Sequence, residues 1–130
     1  MSDRAIKDAR LLVAKVFPAA AANDNTATID LVNTGYKPEG MALNIAWPSL
    51  PNFVDGKTII FDVMDSADDS SYLSTGVTHT ITGITGNGQA AGSVNLRLKP
   101  TTRRYIQVKR TVESGGGTNT ASTNTCALVF

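Results

Sequence analysis

Cysteine and histidine each occur once in this 130-residue chain, at Cys126 and His79. A single cysteine closes no internal disulfide, so the fold has to rest on its core, and this usage fits a reducing compartment. One His and one Cys also cannot supply the nitrogen and sulfur ligands of a structural zinc from one chain. His79 sits inside VTHTIT, without the orienting carboxylate and nucleophile that a general base needs around it. Net charge is scarce as well: twelve basic and eleven acidic residues leave +1, too little field to gather nucleic acid or anionic lipid. Long apolar runs are missing, and nothing approaches the roughly 18 to 20 residues of a membrane span. The opening MSDRAIKDARLLVAKVFPAAAAND has the basic start of an export signal, but Lys15 interrupts LLVAKVF, which leaves no continuous apolar centre. Synthesis in the cytoplasm without export by this route is the expectation.

What the chain does have is alternation. From Val94 the apolar residues take every second position, Val94, Leu96 and Leu98, then Ile106 and Val108, with Asn95, Arg97, Gln107 and Lys109 between them. Period two puts one set on a buried face and the other in water. MALNIAW repeats the pattern with Met41, Leu43, Ile45 and Trp47, and TIIFDVMD has Ile59, Phe61 and Val63 facing one way and Ile60 and Met64 the other. The closing CALVF puts Cys126, Leu128 and Phe130 on one face, as a paired strand would; Cys126 there reads as a small buried hydrophobe.

The connections are rich in turn residues. Asp3 to Phe17 mixes helical spacing with strand spacing, and a short strand at Leu11 to Phe17 on an N-terminal arm fits best. Pro18 ends it, and AAAANDN reads as a connector turning at Asn-Asp-Asn. PSLPNFVDGK holds two prolines and a glycine, so it is a surface excursion whose Leu50, Phe53 and Val54 either fold back or await a partner. The whole implies an all-β, single-domain, jelly-roll-like antiparallel β-sandwich of about eight strands, with residues 1–25 as arm and connector and 26–130 as the body.

Three stretches invite a chemical reading. Asp65, Asp68 and Asp69 could crowd oxygen ligands around calcium, but DSADDSS lacks the spacing, glycine and closing glutamate of an EF-hand, and turn chemistry explains it better. GITGNGQAAGS has neither the GK[ST] ending nor a following helix of a phosphate loop. The basic run Arg103, Arg104, Lys109 and Arg110 is either a solvated strand edge or a patch for an acidic partner. No cofactor, metal site or catalytic set is expected.

In the order of its segments the chain resembles the small jelly-roll cement, or decoration, proteins of tailed bacteriophages. The resemblance is carried by DARLLVAK, by the Ala/Asn/Thr connector before TATIDLVNTG, by TIIFDVMDSADDSSY, and by RRYIQVKRTVESGGG before CALVF. It implies a virion protein on the outer surface of the expanded head, made in the host cytoplasm, which binds the major capsid protein across subunit junctions and has no catalytic activity. Self-association is expected, as a homodimer with a trimer as the alternative; nucleic acid and membrane are not expected partners. Candidate contacts are Arg4, Lys7 and Arg10 of the arm, the aromatics Tyr36, Trp47, Phe53 and Tyr72, and the basic pair Arg103 and Arg104. The rival is a carbohydrate- or receptor-binding β-sandwich of a phage tail, for which Trp47, Tyr36 and Tyr72 are the candidate stacking residues; a hydrolase ranks third.

Overall fold

The structure is a computed structural model and describes residues 12–31, 41–84 and 88–129. The strands of the described residues are β1 Leu12–Val16, β2 Asn23–Asn25, β3 Ile29–Asp30, β4 Ala42–Trp47, β5 Thr58–Ser66, β6 Leu73–Thr82, β7 Gly92–Arg97, β8 Tyr105–Val112 and β9 Thr123–Val129. Two sheets result, one in the order β1-β9-β4-β7 and the other β2-β8-β5-β6, with β3 also on β8. Each pairing is antiparallel.

β2 and β3 lie end to end along β8, and Thr26 between them keeps the ladder whole. Its amide donates to the Val108 carbonyl and its hydroxyl accepts from the Val108 amide, both at 3.0 Å. Counting β2 and β3 as one interrupted strand, the body has two four-stranded layers. The chain crosses between them in the double-sheet jelly-roll manner.

The inward phase of each long strand builds one core between the layers. Leu43, Ile45 and Trp47 come from β4, Ile59, Phe61 and Val63 from β5, Ile106, Val108 and Val112 from β8, and Cys126 and Leu128 from β9. Trp47 stacks on Phe61 (5.7 Å, 18°) and Phe17 meets Phe61 edge-on (6.2 Å, 64°). Each such side chain contributes about 1.5–3 kcal/mol by leaving water. Phe130 lies outside the described residues.

Two expectations need correcting. The body begins at Leu12 rather than Thr26, because β1 pairs along β9 and β2 along β8. Asn-Asp-Asn is not a turn but β2 itself; the turn comes earlier, where the Ala22 amide donates to the Ala19 carbonyl and Ala21 takes a left-handed φ of 64°. The polar triplet is held as a strand by its neighbours, overriding its weak propensity.

Candidate partner-binding surface

The outward phase of the second sheet forms a continuous face. With Ile59, Phe61 and Val63 turned inward, β5 presents Ile60, Asp62 and Met64; with Ile106, Val108, Arg110 and Val112 inward, β8 presents Gln107, Lys109 and Thr111. The register sets Ile60 beside Thr111, Asp62 beside Lys109, and Met64 beside Gln107. β6 extends the face with Thr78 beside Asp62 and Thr80 beside Ile60. Ile60 is 39% exposed, and Asp62 accepts a 2.7 Å hydrogen bond from the Ser74 hydroxyl.

The two lateral sides of the sandwich differ. On one, Arg110 is fully buried. It donates to Asp24 Oδ1 from Nε (2.9 Å) and from an Nη (2.6 Å), to Asn124 Oδ1 (3.1 Å) and to the Val16 carbonyl (2.9 Å), with the Lys15 carbonyl at 3.4 Å. Its guanidinium also faces the Phe17 ring at 5.8 Å. One side chain of β8 thus fastens β1, β2 and β9. On the other side the edge strands β6 and β7 approach each other, and the inward-facing Val77, His79, Val94 and Leu96 are only half-buried. His79 stacks on Trp47 (5.9 Å, 22°), a structural place for the single histidine.

At one end three loops are joined. The Leu50 and Gln89 main chains exchange hydrogen bonds (2.8 and 3.1 Å), Val54 donates to Gly116 O (3.0 Å), and the Asn52 amide donates to Asn119 Oδ1 (3.1 Å). Glycine permits the approach: a Cβ at Gly117, where φ is +87°, would lie 1.9 Å from Asn52 O, and one at Gly83 would lie 2.2 Å from Val54 O. PSLPNFVDGK therefore folds back, burying Leu50 and Phe53, while Val54 stays 43% exposed and Ile84 52% exposed.

The aspartate loop shows turn chemistry. Asp68 Oδ1 accepts from the Ser66 hydroxyl (2.8 Å) and the Ser70 and Ser71 amides (3.0 and 3.2 Å), and these bonds, Ser66's first, hold its carboxyl below the usual range. Asp69, at φ 60°, accepts from Tyr72 Oη and from Thr28 (3.0 Å). Desolvation, then the bond to Asp69, pushes the Tyr72 phenol up to about 12. Asp65 is taken by Arg103. The three carboxylates point to different partners, and among the described residues no group of metal-ligating side chains converges.

The candidate contacts fare unequally. Arg4, Lys7, Arg10 and Tyr36 lie outside the described residues. Phe53, a candidate contact, folds back and is buried, and Trp47 is buried too, its indole donating to Ala90 O (3.1 Å); neither ring is presented to a partner. Tyr72 is half-buried over Thr28. Arg103 binds Asp65 through Nε (3.1 Å), Nη (2.9 Å) and its own amide (2.9 Å). Arg104 grips Asp30 in a bidentate pair (3.0 and 2.9 Å) and lies over the Tyr105 ring. With Arg110 buried, the basic run is mostly spent on internal carboxylates. Burial also pushes the Cys126 thiol up to about 12, the state of an inert core thiol.

No family model and no curated protein sequence matches the chain. Solved structures do match in fold. PirA aligns with a TM-score of 0.51 at 6% identity, over 91% of this chain and 93% of its own. The PBSX exported protein XepA aligns with a TM-score of 0.51 at 10% identity, over 90% of this chain and 36% of its own, so this chain spans about a third of XepA. Such likeness establishes the β-sandwich and says nothing of activity.

Proposed function

We propose that the protein is a virion structural protein, a cement or decoration protein that binds the outer surface of an expanded phage head and ties major capsid subunits together. The observation that supports this reading is where the exposed apolar side chains fall. Leu12 and Val16 lie on β1, Val54 and Ile84 at the joined loops, Ile60 on the outer face of the second sheet, and Leu73 at the far end of β6. A binding module with one ligand gathers such residues into one patch. Among the described residues they are spread over separate stations of a braced body, which suits contact with several neighbours, each weak alone and strong together. Self-association and the absence of catalysis belong to the same reading. The rival sugar-binding reading loses Trp47 from its stacking platform, since that ring is closed in by Phe61 and His79.

The test is co-sedimentation of the purified full chain with expanded empty heads of its own phage, followed by their thermal disruption. Bound protein and more heat-resistant heads are expected. Failure to bind heads, together with retention on a glycan array, would replace this reading with the rival.

A further inference from the structure

We infer that the outer face of the second sheet is a self-complementary interface, on which a second copy of this chain docks about a twofold axis parallel to the strands and midway between β5 and β8. Its charge pattern carries the inference. At the middle of the face the outward positions of the two central strands are Ile60, Asp62 and Met64 against Thr111, Lys109 and Gln107, so these three rows hold one anion and one cation, side by side. Thr78 and Thr80 of β6 lie on one flank and Asn23 and Asn25 of β2 on the other, while the next anions stand at the two ends of the rows, Glu113 beside Thr58 and Asp69 on Thr28 next to Gln107. A twofold interface must be complementary to itself, so an anion and a cation side by side at its middle each need the opposite charge across the axis.

Two in-plane twofold axes align the strand rows of one copy with those of the other. One running across the strands through the Asp62–Lys109 row would set Asp62 on Asp62 and Lys109 on Lys109, a like-charge arrangement that costs several kcal/mol. The axis along the strands instead sets Asp62 of each copy over Lys109 of the other, Ile60 over Thr111 and Met64 over Gln107. Ile60 then covers its 39% exposure against a threonine methyl. The pattern thus selects both the occupant and its orientation.

This deepens the self-association in the proposed function and rests on it, but it is tested apart from the heads. Sedimentation equilibrium of the full chain should give a dimer. Asp62→Lys and Lys109→Asp, each folded by circular dichroism, should each weaken it on the order of 100-fold, because each creates two like-charge contacts per dimer. An equimolar mixture of the two variants should recover a heterodimer, since both crossed contacts become attractive again, and the double variant should dimerise by itself. A monomeric or trimeric wild type, single variants that keep the wild-type mass, or a mixture that stays monomeric would overturn the inference. Head binding by a wild type whose variants keep its mass leaves the cement reading standing and removes this face; a dimer that behaves as expected but ignores heads does the reverse.

Discussion

Where β1 lies over β8, the flank of the sandwich is sealed by a buried guanidinium with five polar contacts, while on the opposite flank β6 and β7 leave Val77, His79, Val94 and Leu96 half in solvent. The sealed flank holds the weakest strands by propensity, the three-residue β2 and two-residue β3. The loose flank holds the ten-residue, threonine-rich β6. Strands that pair well by themselves can do without a lateral lock, and poor ones depend on it.

The comparison breaks most visibly at Arg110. Arg110→Ala removes the partner of Asp24 Oδ1, Asn124 Oδ1 and the Val16 carbonyl and leaves a cavity beside them, and should cost about 3–5 kcal/mol in urea unfolding; a cost under about 1 kcal/mol would mean that water replaces the guanidinium and the flank is not sealed. Next come paired truncations. Phe17→Ala on the sealed flank should cost about 3 kcal/mol or more, whereas Leu96→Ala on the loose flank, which starts half-exposed, should cost about 1 kcal/mol. Equal losses would erase the distinction between the flanks.

A smaller effect tests the corner of the sealed flank, where Tyr72 reaches Thr28 ahead of β3. Its phenol is raised from 10.0 to about 12. A folded-state value above the unfolded one means that the contribution to stability is fully present below pH 10 and is lost as the pH rises to 12. Absorbance titration should show a late-titrating component that is lost in Tyr72→Phe; Asp69→Asn, which leaves the desolvation in place, should bring it only part of the way down.

The strands that bury alternate residues could be read directly from the sequence. Met41 to Trp47, Ile59 to Val63 and Ile106 to Val108 keep period two, and all turn their apolar phase inward. The buried arginine left a readable mark too, because Arg110 falls in phase with Ile106, Val108 and Val112. Charge alone groups it with the solvent-facing basic run, whereas phase places it inside. β2 was illegible, since Asn-Asp-Asn becomes a strand only by pairing along β8, where Asp24 stands directly beside Arg110. The burial of Phe53 was equally hidden: it depends on Gly83 and Gly117, far along the chain, letting two backbones touch. Of the candidate surface, the outward phase of β5 was visible as Ile60 and Met64. That Asp62 would stand beside Lys109 required the register.

Arg110 also decides where force goes. β1 is an edge strand, and a pull on the chain ahead of Leu12 would ordinarily unzip it from β9 one pair at a time. Because the guanidinium holds the carbonyls of Lys15 and Val16, tension reaching the end of β1 passes into β8, a strand flanked on both sides in the other sheet. The anchor that resists it is spread across both layers of the body, and rupture has to expose a buried charge before the strand comes away.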